Sequence, residues 1–241
     1  MNKTIKNKFI QIVKPILKAK PVQALILSWH SIVNENIIGS YSQKGEDLII
    51  EKLLGNKTKG FYVDIGANHP ISCSNTARFY KKEWRGINIE PNPQNIKLFK
   101  TERPLDTNLG IGVANKKGKL TFYEFEENML STFSKTEAQN NIKQGKILVK
   151  KYNVSVEKLS NILDKYAKSK IDLISIDTEG YDMEVLKSNN WKKYQPRVIC
   201  LETASRGYGS DYSDDFEKYL SKFGYKKAAQ TRLNSIYLRE F

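Results

Sequence analysis

From residue 41 to the C-terminus, short apolar runs alternate with segments of helical period. Residues 60–65 (GFYVDI) are apolar almost throughout, the pattern of a strand buried on both faces. Residues 86–90, 171–177 and 197–202 repeat it. Helices are predicted over 42–54, 75–82, 91–100, 179–188 and 214–223. Ser42 is expected to cap the first, with Gly45 and Glu46 in its first turn and Gly55 as its stop. Proline opens the helix at PNPQ, and Gly224 ends the last one. Residues 108–113 predict a third strand. Residues 118–126 (GKLTFYEFE) alternate with period two and predict an added hairpin strand, partnered by 147–156. Residues 225–230 and 235–239 close the chain as an antiparallel hairpin. Strand–helix alternation of this kind predicts an α/β fold, a mostly parallel sheet with helices on both faces.

Residues 1–40 differ. Lys3, Lys6, Lys8, Lys14, Lys18 and Lys20 are interleaved with apolar residues on an approximate helical face that Pro15 and Pro21 interrupt. The chain therefore divides into a basic amphipathic helical extension, 1–40, and a domain, 41–241. The extension is expected to cover an edge of the core or make a homodimer contact; the competing expectation is peripheral contact with an anionic membrane. Its most apolar window, 22–33, is too short to span a bilayer and holds Gln23, Ser28 and His30. No signal peptide is evident.

Lys and Arg number 40 against 26 Asp and Glu, a net charge of +14. Such a surface attracts nucleic acid, anionic lipid or phosphorylated substrates. The charges are spread along the chain with no RNA-binding signature, so nucleic acid is not the expected partner. Cys73 and Cys200 lie far apart without metal-ligand spacing, which argues against a structural zinc site and predicts free thiols in a reducing compartment, the cytoplasm.

Four acids stand at the ends of predicted parallel strands: Asp64, Glu90, Asp177 and Glu202. Ligands of open α/β sheets bind beyond those ends, so the four converge on one crevice. After the first strand, Gly66 and Ala67 leave room for a ligand against the backbone, with Asn68 completing a D-x-G-x-N turn. Glu90 follows at the spacing of an acid that accepts from ribose hydroxyls. Asp64 has the wrong sign to sit under a pyrophosphate. It suits the amino end of a methionine moiety, or water beside it, so the pattern fits S-adenosylmethionine (SAM) better than a dinucleotide.

YSQKGED (41–47), YVDIGANHP (62–70), SNT (74–76), GINIEPNP (86–93), STF (131–133) and SIDTEGYDMEVLKS (175–188) together resemble the FkbM family of SAM-dependent methyltransferases. The blocks run in order from about Tyr41 to the C-terminus. The family pattern usually has glycine two residues after the Asn; this chain has His69 and then Pro70. The resemblance implies the class I methyltransferase (Rossmann-like) fold, seven strands with the last one reversed, and SAM as cofactor. It also implies that Gln43 and Glu46 close over that cofactor.

Ser74, Asn75 and Thr76 are expected to cap the next helix and to aim N–H donors at the methionine carboxylate. Methyl transfer to a hydroxyl needs in-line placement and a base. Asp177 and Glu179 are the base candidates. Alternatively, with Glu202, they would hold a divalent cation, Mg2+ or Mn2+ for an all-oxygen ligand set. His69 is a third base candidate, with a loop hydrogen bond as the competing role. Tyr123, Ser131, Thr132, Phe133, Tyr181, Arg206, Tyr208 and Tyr212 are candidates for an acceptor surface that suits a sugar.

The family resemblance implies an O-methyltransferase acting on a sugar hydroxyl, on a small-molecule or nucleotide-linked sugar, in biosynthesis of a capsule or related cell-surface polysaccharide. A methyltransferase for another small molecule, or for RNA, is the alternative. The chain lacks an N/D-P-P-Y/F tetrapeptide and an appended RNA-binding domain. Retention of the cofactor-loop and ribose-acid residues argues against a non-catalytic binding module.

Overall fold

The computed structural model describes residues 39–203 and 213–240. The predicted extension, Gly39 and Ser40 apart, lies outside them, as do His30, Arg206, Tyr208 and Tyr212.

The elements are α1 (Glu46–Leu53), β1 (Phe61–Ile65), α2 (Ala77–Lys81), β2 (Arg85–Ile89), α3 (Pro93–Glu102), β3 (Thr107–Leu109), β4 (Gly112–Val113), β5 (Gly118–Phe125), α4 (Lys135–Lys143), β6 (Leu148–Glu157), α5 (Leu159–Tyr166), β7 (Leu173–Ile176), α6 (Asp182–Lys187), β8 (Val198–Glu202), α7 (Ser213–Leu220), β9 (Tyr225–Gln230) and β10 (Asn234–Arg239). A seven-stranded sheet has the order β3-β2-β1-β7-β8-β10-β9. β1, β2, β3, β7 and β8 run parallel; β10 is antiparallel to both its neighbours. This is the class I methyltransferase sheet with its reversed final strand. None of the described helices is long and apolar enough to cross a membrane.

The apolar runs become central strands because both faces are covered. Val63, Ile65, Ile87, Ile89, Ile174, Ile176 and Leu201 pack with Leu159, Leu163, Val185, Leu186, Phe216 and Leu220 of α5, α6 and α7. On the opposite face Tyr62, Leu173, Val198, Cys200 and Ile236 pack with Ile50, Phe79 and Trp84, at and beside α1 and α2. Side chains alternate along a strand, so that second face continues two residues further to Asp64 and Glu202, through Ser175 to Asp177, and through Asn88 to Glu90. One face of the sheet thus turns from apolar to acidic at its carboxyl edge.

Several boundaries differ from the sequence expectation. The predicted strand 108–113 is two strands in two sheets. β3 ends at Leu109, and Gly112–Val113 pairs with β6 in a separate three-stranded sheet, order β4-β6-β5. Phe133 occupies the space where a Cβ on residue 112 would stand, 2.5 Å from its ring. The predicted β5–β6 hairpin is present and antiparallel. α1 starts at Glu46 after Gly45 in the left-handed region (φ 83°), not at Ser42. Ser42 instead joins a knot on Asp47: its Oγ donates to Asp47 Oδ1 (2.9 Å), as does Ser40 Oγ (2.6 Å). α3 takes Asn92 as its cap, the side chain accepting from the Gln94 N–H at 2.9 Å, with Pro93 in the first turn. α2 begins at Ala77 rather than 75, and α6 at Asp182 rather than 179, because Glu179 (φ 51°) and Gly180 (φ 86°) are left-handed.

Candidate active site

A cleft of about 850 Å³, measured out to its open mouth, lies at the carboxyl edge of β1, β2 and β7 with the three-stranded sheet beside it. The backbone brings its parts together. The Gly66 and Ala67 N–H groups both donate to Ile89 O (3.0 and 3.2 Å), and the Asp177 N–H donates to Ile65 O (3.0 Å). A Cβ on Gly66, whose φ is 73°, would overlap the Asp177 carbonyl. Only glycine lets the ends of β1 and β7 meet this closely.

Glu90 lines the cleft from the end of β2 and is buried. Its Oε2 accepts from the Asn68 N–H (2.8 Å) and its Oε1 from the Asn92 N–H (2.7 Å). Burial lifts its pKa to about 7, against the pull of these two hydrogen bonds. Each oxygen keeps a lone pair for a diol. Asn68 (φ 51°) accepts from Asn95 Nδ2 at 3.1 Å. Asp64 is also buried, and accepts from Thr76 Oγ1 at 2.5 Å. Burial raises its pKa to about 6; Arg103 opposes that, and Asp177 and Asp106 add to it.

Ser74 and Asn75 line the cleft as well. Ser74 Oγ accepts from the Thr76 and Ala77 N–H groups (3.3 and 3.2 Å), so it caps the start of α2 from outside. Asn75 Nδ2 donates to Ser175 Oγ at 3.1 Å. Gln43 lines the cleft, whereas Glu46 does not. Glu46 Oε1 accepts from Thr231 Oγ1 (2.7 Å) and Asn234 Nδ2 (3.0 Å), and Oε2 from the Lys44 N–H (2.8 Å). Burial pushes its pKa up, but these hydrogen bonds outweigh that and hold it below the usual range. The carboxylate expected over the cofactor is spent tying α1 to the β9–β10 turn.

Asp177 and Glu179 line the cleft; Glu202, one strand over, is buried. Among the described residues these three bring ligand atoms within 4.8 Å of one another. The loop between them is held from below by Asp182, whose carboxylate accepts from the Thr178 (3.0 Å) and Gly180 (3.2 Å) N–H groups. Burial, with Asp177 nearby, raises the Asp182 pKa to about 6. His69 does not line the cleft. Its Nδ1 accepts from the Ile71 (3.1 Å) and Ser72 (3.0 Å) N–H groups, and burial and Arg103 lower its pKa. The Nδ1 side of the ring is taken up by the loop backbone.

The opposite wall comes from the three-stranded sheet and the segment after it. Ser131, Thr132, Phe133 and Phe122 line the cleft. Phe122 and Phe133 lie 4.9 Å apart by ring centroid, and Phe133 and Tyr181 6.0 Å. Tyr123 is elsewhere, packed on the Phe125–Leu130–Ala138 cluster. Sequence reasoning missed Asp182 and Arg103. Asp182 stands within the 175–188 block but carries no sign there of its role under the loop, and Arg103 lies in none of the blocks; burial of a charge appears only with the neighbours that surround it.

Residues 64–227 match the methyltransferase FkbM domain, well over half of the chain. The chain belongs to the FkbM methyltransferase family and is a SAM-dependent methyltransferase. No curated protein matches it in sequence. Solved structures resemble it distantly. A TehB-like SAM-dependent methyltransferase from Corynebacterium glutamicum is 12% identical, covering 90% of this chain and 97% of its own, at a TM-score of 0.44. A precorrin-6y C5,15-methyltransferase from Geobacter metallireducens is 13% identical over 81% and 87%, at 0.41. TrmK from M. capricolum, in complex with S-adenosylhomocysteine, is 11% identical over 79% and 66%, at 0.35. Family membership rests on the domain match, not on these likenesses.

Proposed function

We propose that this enzyme is an O-methyltransferase that methylates a sugar hydroxyl, on a nucleotide-linked or other small-molecule sugar, in the cytoplasm during synthesis of a cell-surface polysaccharide. The observation that carries this reading is a pair of carboxylates, Asp177 and Glu179, on one cleft wall with the aromatic rings of Phe122 and Phe133 lining the same cleft. The family resemblance supports the sugar class. Ring faces suit the C–H face of a sugar, and Ser131 adds a hydroxyl beside them.

The cleft fits SAM. Glu90, anchored by two backbone N–H groups, lines the cleft where its free lone pairs would accept from a ribose diol. Bound there, SAM supplies a methyl group on a sulfonium cation. Asp64, Asp177 and Glu179 surround that position with negative charge. Such a cleft favours a sulfonium over the neutral thioether left after transfer, so the same acids ease product release. Asp177 or Glu179 takes the acceptor's proton as its oxygen attacks.

A second reading has one supporting observation, the 4.8 Å grouping of Asp177, Glu179 and Glu202. Carboxylate oxygens alone suit Mg2+ or Mn2+, which would make the acceptor hydroxyl more acidic. Incubating the enzyme with SAM and a panel of sugar nucleotides, then reading one-methyl mass gains, tests the main reading. Methylation confined to RNA or to non-sugar molecules would overturn it.

A further inference from the structure

A buried guanidinium underlies the cofactor side of the cleft. Arg103 follows α3 and is 1% exposed. Its Nη2 donates to the carbonyl of Pro70 and to Ser74 Oγ (2.9 Å). Its Nη1 donates to Thr76 Oγ1 (2.7 Å), to Asn88 Oδ1 (3.3 Å) and, at 3.4 Å, to Tyr62 Oη. Thr76 Oγ1 in turn donates to Asp64. One side chain thus reaches both ends of the loop 70–76 and, through one hydroxyl, the acid at the end of β1. Ser74 and Asp64 line the cleft; Arg103 does not.

Burying a charge is costly, and the surroundings offset it only with full pairing. Here the partners are the loop's own acceptors together with the carboxylates of Asp64 and Asp106, which both feel the guanidinium. Asp106 anchors the far side: its carboxylate accepts from Tyr62 Oη, from the Gly86 N–H (2.8 Å) and from Asn88 Nδ2 (3.0 Å). A planar fork with five donors can serve this many acceptors at once; an ammonium cannot.

We propose that Arg103 is a positioning residue for the methyl donor, setting the loop 70–76 and the Asp64 carboxylate from beneath the cleft. This rests on the reading of the cleft as the SAM site. The charged groups felt by Asp64 are Arg103 from the end of α3, Asp106 ahead of β3 and Asp177 after β7; Asp64 itself acts on Glu90, Tyr62 and Cys200. An ionised Asp64 favours a cation in the cleft. That favour holds above its pKa and is lost as the pH falls through about 6. Arg103 lowers this pKa, so removing the guanidinium moves the loss to higher pH.

The test is calorimetric titration of the full chain with SAM across pH values from about 5.5 to about 8.5. Arg103→Met should bind SAM about tenfold more weakly or worse, the scale of losing a hydrogen bond to a charged group, and its affinity should fade at a higher pH than the wild type's. Arg103→Lys, which keeps charge but not the fork, should retain the wild-type pH midpoint with reduced affinity. Thr76→Val leaves Arg103 in place and cuts its link to Asp64, together with the 3.4 Å contact between Thr76 Oγ1 and Ser74 Oγ; it should shift the midpoint upward too, and it decides the matter if Arg103→Met does not fold. A purely structural arginine would lower the melting temperature and leave the midpoint where it was. Wild-type affinity and midpoint in folded Arg103→Met, or in Thr76→Val where the former cannot fold, overturns the proposal. A wild-type protein that fails to bind SAM overturns the cofactor site instead.

Discussion

Thr132 Oγ1 donates a 2.8 Å hydrogen bond to the backbone carbonyl of Glu179. Thr132 is buried, its Oγ1 accepts from the Ser134 N–H (2.8 Å), and its backbone exchanges two hydrogen bonds with Tyr123 of β5. The three-stranded sheet is therefore fastened to the left-handed loop that carries a candidate base. Thr132→Val keeps the shape and leaves that carbonyl and that N–H without their partner, a cost of about 1–3 kcal/mol. It should lower turnover by about tenfold while SAM affinity stays unchanged, read by steady-state kinetics beside calorimetry. Unchanged turnover would detach the sheet from catalysis.

Glu90→Ala should weaken SAM binding by about 1–3 kcal/mol, the worth of a charge-assisted hydrogen bond. Calorimetry on a folded variant checks this, and wild-type affinity would remove Glu90 from the site.

Three buried acids make stability depend on pH. Folding raises Asp64 and Asp182 from 3.8 to about 6, and Glu90 from 4.5 to about 7. The folded protein then binds more protons than the unfolded chain between about pH 4 and about pH 7, so stability is greatest at the acid end of that window and falls as pH rises through it. His69, held below 6.5, and Glu46, held below 4.5, work the other way near those pH values. Glu90 alone accounts for about 3 kcal/mol. Denaturant titration of the ligand-free protein should show the decline, and Glu90→Gln should flatten its upper part. A wild-type curve that rises steadily across the window would contradict the burial of these groups as acids.

Asp177→Asn should reduce turnover by about two orders of magnitude or more with little change in SAM affinity, and Glu179→Gln and Glu202→Gln divide the roles further. EDTA separates the two chemistries. Loss of activity restored by Mg2+ or Mn2+ assigns the three acids as ligands; indifference assigns the base to Asp177 or Glu179. Full activity in all three variants would sink both.

Gly66→Ala should fail to give folded protein, or lose well over the 1 kcal/mol or so expected from a positive φ alone, because the added methyl meets the Asp177 carbonyl. Gly55→Ala is the control: its φ is 66°, but nothing lies within 4 Å of the added carbon. Equal melting temperatures for the two variants would deny that β1 and β7 meet at Gly66.

The strands were legible in the sequence because burial on both faces demands continuous apolar residues, as at 61–65 and 173–176, and the acids that end them were legible because a strand's last residue is fixed by where that run stops. Gly66 and Glu90 carry a local geometric requirement, and spacing alone exposes it. What tertiary structure decided is where side chains with several available partners went. Glu46 and Asp64 are both acids beside glycine-bearing turns of the chain, yet Glu46 is consumed by Thr231 and Asn234, about 185 residues away, while Asp64 stays in the cleft. His69 spends its ring on Ile71 and Ser72. Residues 108–113 divide between two sheets because β3 finds β2 and β4 finds β6, a pairing that no local pattern contains. Arg103, one of 40 basic residues by composition, becomes the buried centre of the loop 70–76 only when Tyr62, Pro70, Ser74, Thr76 and Asn88 close around it. Apolar burial follows a period that a sequence displays; the partner of a polar group depends on which segments the fold brings within hydrogen-bond reach.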